Sequence, residues 1–396
     1  MLRHSARIAL VLCAVLGLAA CGGGGDATAD PTSGPIKVGA VFDLTGPTSD
    51  VGTIYAEGIR GYVDWLNQNG GVDGRNIDLL YQDYAYKVDQ AEQLYSQFIG
   101  EGVVAFQGWG TGDTEALRGR IASDHIPFMS ASLSHVLGDP AEAPYNFLSG
   151  TSYSHQIMIV LDWLVETGRT APVALMHNPS PFGLSPFQQG GREYATALGL
   201  ELTAHEMPRG ATDYSAELTR IAQSGAETVI FQNTSGPVAV ALKNARDLRL
   251  DLTFVTLNWC TNEVLIELAG EVAEGVVGSV IFAPPGEGVE GLTAADAYLR
   301  TQGSSIDEKG LLYSQGWWVM ALMTEGIRRA AADGGAVTGE RIKAALETLD
   351  GFETGGVTAP VSYTPTDHRG IKGMRLFEVQ DGTWVPLTGI RTAKDR

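Results

Sequence analysis

The chain has 396 residues, 44% hydrophobic and 8% aromatic, so it can bury real cores and is not disordered by composition. Its 27 basic residues against 46 acidic ones leave a net charge of −19. That balance excludes nucleic acid as a partner, which needs a basic footprint, and adhesion of the folded surface to anionic lipid.

Arg3, His4 and Arg7 precede an unbroken apolar run over residues 8–20. The run is too short for a mature transmembrane helix, which needs about 20 residues, and it suits the apolar region of an export signal. It ends Leu18-Ala19-Ala20-Cys21, the pattern of a bacterial lipobox, in which the peptidase cuts after small residues and Cys21 receives lipid. Ordinary signal cleavage near Ala20 is the alternative. Residues 1–20 are thus expected to be a signal peptide. Residues 21–35, rich in Gly, Ser, Thr and Pro, read as a lipidated cysteine and a flexible tether. The expected location is outside the cytoplasm, anchored through the N-terminal lipid, in a periplasm or on the outer face of the cell membrane. Cys13 leaves with the signal and Cys21 carries lipid, so Cys260 stands alone and no intramolecular disulfide is expected.

From Ile36 the chain alternates apolar, β-branched runs with amphipathic segments. Strands are predicted at 36–42, 77–82, 103–107 and 127–130, with helices at 52–69, 88–99 and 112–123. A second series follows a strand near 145–149. It has helices at 151–166, 186–198, 213–224, 237–248 and 262–269, and strands at 172–177, 200–205, 227–231, 252–256 and 276–282. Helices at 293–301, 309–332 and 338–349 come next, then strand-like pieces near 361–363, 374–379 and 384–387. The alternation predicts an α/β protein with two doubly wound units, each a parallel sheet covered by helices on both faces. Ligands of such sheets bind at the carboxyl ends of the strands, here in a cleft between two lobes.

Catalytic and metal motifs are missing. There is no Gly-x-Ser-x-Gly, no P-loop and no His-Glu-x-x-His, and the seven histidines have no metal-ligand spacing. Gly108-Trp109-Gly110-Thr111-Gly112 resembles a dinucleotide fingerprint but fails it, because Asp113 stands where the third glycine belongs. The turn can be read as an anion site with Thr111 as a hydroxyl donor, or more plainly as a helix start with Thr111 as the N-cap.

Several short motifs, in order and spacing, carry a resemblance. They are Leu44-Thr45-Gly46-Pro47, Gly70-Gly71-Val72-Asp73-Gly74-Arg75, Asp83, the 108–112 turn, Pro127-Phe128-Met129-Ser130-Ala131-Ser132, Tyr313-Ser314-Gln315-Gly316-Trp317 and Asp367-His368. The chain resembles the branched-chain amino acid (leucine/isoleucine/valine-binding) type of substrate-binding lipoprotein of ABC transporters, with the type I periplasmic binding protein fold. The resemblance implies two Rossmann-like lobes joined by a three-crossover hinge, 36–150 plus 283–357 and 151–282 plus 358–396. It implies a non-enzymatic receptor, without cofactor or metal, that captures a small carboxylate-bearing solute by lobe closure and hands it to permease subunits. It also implies a monomer that touches the membrane only through its lipid. A ligand-sensing receptor of the same fold is the competing function.

The resemblance places Thr111, Ser132 and Ser134 on the ligand carboxylate and Val51 at the first-loop contact. Phe182 and Thr234 fall in the second lobe's wall, and Asn258 stands where relatives carry the amine-binding acid. Trp109 and Trp259, with Tyr84 and Tyr153, add aromatic candidates in cleft loops. With Asn258 neutral, either another acid binds the ammonium, with Asp50 and Glu263 the nearest by loop position, or the ligand has no free amine. An amino acid or close relative is the expected ligand, and an amine-free or aromatic carboxylate the alternative.

Overall fold

The computed structural model describes residues 34–394. The signal, Cys21 and most of the tether lie outside the described residues. The first sheet has the order β2-β1-β3-β4, all parallel, from β1 (Ile36–Phe42), β2 (Ile77–Asp83), β3 (Ala105–Gly108) and β4 (Phe128–Ser130). Ile36 pairs with Ile77 and Val38 with Ala105, so the apolar runs lie side by side; β1, β3 and β4 are buried, while the edge strand β2 is only partly covered. Helices α1 (Ser49–Gln68), α2 (Val88–Gly100) and α3 (Thr111–Asp124) make the crossovers.

After α4 (Tyr153–Glu166) the second sheet begins. Its parallel strands are β5 (Val173–His177), β6 (Leu202–Glu206), β7 (Thr228–Gln232), β8 (Thr253–Thr256) and β9 (Val277–Val280). In space they run β6-β5-β7-β8-β9, and antiparallel strands β10 (Gly373–Gln380) and β11 (Thr383–Pro386) extend the far edge. A short strand, β12 (Arg391–Thr392), pairs with β10. In both sheets the chain first adds a strand on one side and then crosses to the other. The switch points lie between β1 and β3 and between β5 and β7, where a crevice opens at the carboxyl ends.

Three expectations change. The strand near 145–149 is only a pair of isolated bridges, Phe128 to Asn146 and Leu148 to Arg369. The piece near 361–363 is likewise one bridge, Phe352 to Val361. The single helix expected over 186–198 is broken into α5 (Pro181–Pro186), a wide turn at Phe187–Gly191 and α6 (Arg192–Ala197). Pro186 has no N–H to continue the first piece, and Gln189 and Gly190 leave helical geometry.

Helices α7 (Ser215–Gln223), α8 (Ser235–Asp247) and α9 (Glu263–Ala269) flank the second sheet. Then α10 (Thr293–Thr301), α11 (Ile306–Ala331) and α12 (Gly339–Leu346) return to the first, where α11 lies along α1 in the most extensive helix contact of the fold. Glycines on both helices permit that approach. A Cβ on Gly58 would stand 2.1 Å from the Tyr313 carbonyl, and one on Gly316 would stand 2.0 Å from the Tyr55 carbonyl. Among the described residues no helix is long and apolar enough to cross a membrane.

Candidate functional site

A small cavity lies between the two sheets, at the carboxyl ends of their strands. Four chain segments of the first sheet supply one side. After β1, the buried Asp43 carboxylate accepts the Gly46 and Thr48 N–H groups (2.6 and 2.8 Å) and the Thr48 hydroxyl (2.6 Å), which folds the loop back on itself. Thr48 Oγ1 in turn accepts the Trp109 indole N–H at 2.8 Å. One carboxylate thus fixes Thr48 and, through it, the ring after β3, and both residues line the cavity. Val51, Tyr86, Gly110, Thr111 and Ala131 complete this side.

The turn after β3 needs glycine for space rather than for phosphate. A Cβ on Gly110 would stand 2.2 Å from Asp113 Oδ1 and 2.6 Å from the Tyr84 hydroxyl. The Gly110 N–H is already spent on that hydroxyl at 3.1 Å, so the turn is not an open anion cradle. The N-cap of α3 is Gly110, not Thr111 as the plainer sequence reading had it. Thr111 is the first residue of the helix, and its hydroxyl lies 2.7 Å from that of Ser132.

The second sheet supplies Phe182 from the start of α5, Thr234 after β7 and Trp259 after β8, with Tyr153 from α4. Tyr153 OH accepts the Trp259 indole N–H at 2.9 Å. Trp109 and Trp259 meet edge to face at 5.1 Å between centroids, Tyr55 packs edge-on against both, and Tyr153 meets Phe182 at 5.6 Å. Burial pushes the Tyr153 phenol well above its ordinary range, so it stays a neutral hydroxyl.

Of the residues expected from sequence, Val51, Trp109, Thr111, Phe182, Thr234 and Trp259 are in the wall. Ser132 stands behind Thr111, bonded to it. Ser134 is elsewhere: its hydroxyl donates to Glu115 at 2.7 Å and meets Gln189, because the chain has already turned into the 135–138 helical turn. Asn258 is buried beside the wall but not part of it. Its side-chain nitrogen and oxygen have no hydrogen-bond partner, and its backbone N–H donates to Gln156.

Neither candidate acid lines the cavity. Asp50 Oδ2 accepts the Gly236 N–H and Glu263 Oε2 the Leu311 N–H, each at 3.0 Å. Burial raises both carboxyls above their usual range. Every side chain in the wall is neutral.

Sequence reasoning missed Thr48, Tyr86, Gly110 and Ala131 as wall residues. Tyr84, offered as an aromatic of the cleft, instead points into the core and donates to Asp113 at 3.0 Å. Ala85 and Tyr86 both take left-handed backbone angles (φ 50° and 57°), and that turn brings Tyr86 to the cavity instead. Among the described residues no group of three His, Cys, Asp or Glu side chains is placed to hold a metal ion.

The family profile described as periplasmic binding protein matches residues 35–383. Among curated relatives, Leu/Ile/Val-binding protein homolog 3 of Brucella melitensis is 22% identical over 333 residues, covering 82% of this chain and 89% of that protein. Homolog 2 of Brucella abortus is 22% identical over 275 residues, 69% of this chain and 71% of that one. Among solved structures, a branched-chain amino acid ABC transporter protein of Thermus thermophilus with bound valine superposes with a TM-score of 0.86. It is 30% identical and covers 91% of this chain and 97% of that one. An ABC transporter substrate-binding protein of Aeropyrum pernix, also 30% identical, gives 0.83 over 92% of this chain and 97% of that one. The two switch-point sheets, the cavity between them and these likenesses agree: the chain belongs to the periplasmic binding protein family, in its Leu/Ile/Val-binding type, a family of solute-binding proteins rather than enzymes.

Proposed function

We propose that the chain is the extracytoplasmic substrate-binding protein of an ABC importer, which captures a small carboxylate-bearing solute, an amino acid or close relative, by lobe closure and delivers it to the permease. The observation that carries this is the cavity itself. Its wall draws hydroxyls from both sheets, Thr111 from one and Thr234 from the other, with aromatic rings between them. A solute touching both sides favours the form in which both sides are present, so binding shifts the population toward closure. The lobes are residues 36–150 with 283–357 and 151–282 with 358–396. The packing of α11 on α1 and the pairing of β10 with β9 support that division. Thr111 reaches the carboxylate, with Ser132 holding its hydroxyl in place. Val51, Trp109, Phe182, Thr234 and Trp259 enclose the rest, and Asn258 lies beside them. The protein works as a monomer, held to the membrane by lipid on Cys21.

A second reading, an amine-free or aromatic carboxylate, is favoured by the neutral wall, since a desolvated ammonium without a carboxylate costs several kcal/mol. The fatty acid ABC transporter substrate-binding protein of Thermomonospora curvata, 18% identical, shares the fold with a TM-score of 0.78. A thermal-shift panel of amino acids against amine-free carboxylates separates the two. At a hundredfold excess over Kd a ligand stabilises by about 2.7 kcal/mol. Amino acids that raise the melting midpoint support the first reading. Shifts from amine-free acids alone replace it with the second, and no shift from either class defeats both.

A further inference from the structure

The two acids that sequence reasoning offered to the ligand are engaged with the opposite lobe. Asp50, in the first turn of α1, reaches the N–H of Gly236 in the first turn of α8, which follows β7 of the second sheet. Glu263, at the start of α9 after β8, reaches the N–H of Leu311. Leu311 begins the unbroken part of α11, because Gly310 (φ 76°, ψ −172°) interrupts that helix just before it, and α11 packs along α1. One carboxylate therefore runs from the first lobe to the second and the other from the second to the first. Each sits in the first turn of its own helix and accepts an N–H from the first turn of a helical run across the cleft, a bond that offsets part of the cost of burying the carboxylate.

We propose that Asp50 and Glu263 are a reciprocal pair of closure latches, positioning residues that bind no solute and set ligand affinity by holding the two lobes together. The proposal rests on the reading that the lobes open and close on a solute. Opening separates both pairs in one rigid motion, and the freed N–H groups and carboxylates pass to water. In the closed form, removing either carboxylate leaves the N–H across the cleft without its acceptor, while what the acid gives its own helix is lost from both forms alike, so the balance moves toward opening. Because one motion breaks both contacts, loss of either latch weakens the other.

Hydrogen exchange on the full chain without added solute tests this, read in the peptides that hold Gly236 and Leu311. In Asp50→Ala, exchange should accelerate at Gly236 and also, by about tenfold, at Leu311, while the central β5 amides stay as in wild type. Glu263→Ala should do the same in the reverse direction. Asp50→Asn keeps the side chain's shape and one acceptor, guards against a misfolded alanine variant, and should show the same cross-effect at smaller size. Acceleration confined to the amide that lost its own partner would reduce both contacts to local helix caps and overturn the proposal. Acceleration spread equally into β5 would overturn it as well, since it would report unfolding rather than opening. No ligand enters the measurement, so the latches can stand while the solute panel fails, or fail while it succeeds.

Discussion

Asp113 is the residue through which pH should act on the binding loop. It lies in the first turn of α3, 2% exposed, with Oδ1 3.0 Å from the Tyr84 hydroxyl. That hydroxyl accepts the Gly110 N–H, so the pair holds the turn that brings Thr111 to the cavity. Burial, with the Asp43 carboxylate adding to it, pushes the carboxyl from its ordinary 3.8 up to about 7, against the opposing pull of the Tyr84 hydrogen bond. The folded chain therefore holds this proton more tightly than the unfolded chain does. The group's contribution is most favourable at or below about pH 4 and is lost as pH rises toward 7. The full span corresponds to about 4 kcal/mol, from 1.36 kcal/mol per pKa unit. Asp113→Asn keeps the shape and the acceptor for Tyr84 and removes the charge. The other titrating groups are common to both proteins, and apart from Asp43, which feels the Asp113 charge, they cancel in the difference between them. Urea unfolding at a series of pH values should show the variant gaining on wild type by about 4 kcal/mol between pH 4 and pH 8. A difference that stays flat across that range would refute the assignment of a buried, reluctantly charged carboxyl.

Three further outcomes are expected. Thr111→Val should weaken binding of the tightest solute in the panel by about 10- to 150-fold in calorimetry, the worth of a hydrogen bond to a charged group. Stability should fall as well, by about 1–3 kcal/mol, because the buried Ser132 hydroxyl loses its partner, so affinity and stability are measured together. Ser134→Ala should leave affinity as it was; equal affinity for an acid and its amide would count against the carboxylate contact. Cys260 is fully buried, with its thiol pushed up to about 12 by burial, so a thiol reagent should modify it only at the rate of unfolding, and fast labelling of the native protein would show the site to be open. Cys21→Ala should abolish lipid labelling and move the protein into the aqueous phase of a detergent partition; wild type already in that phase would end the lipoprotein assignment.

The alternation of apolar runs with amphipathic segments was enough to read two doubly wound sheets, because buried parallel strands and one-faced helices write different periods into the chain. The sheets' switch points then follow from strand order, and with them the loops that carry Val51, Trp109, Thr111, Phe182, Thr234 and Trp259 to one cavity. Within those loops the sequence had no period to read. Tyr84 and Tyr86 are two residues apart in a loop, and only the left-handed pair of residues at 85 and 86 decides which ring meets the cavity. Ser134 follows Ser132 by two residues, yet the turn beginning at 135 carries its hydroxyl to Glu115. Asp50 and Glu263 were legible as acids near the cleft, while their partners, the Gly236 and Leu311 amides, lie 186 and 48 residues away along the chain. Local patterning set which segments fold and which loops converge. Where each side chain points, and which helix end it meets, was decided by contacts between parts of the chain that only the assembled lobes bring together.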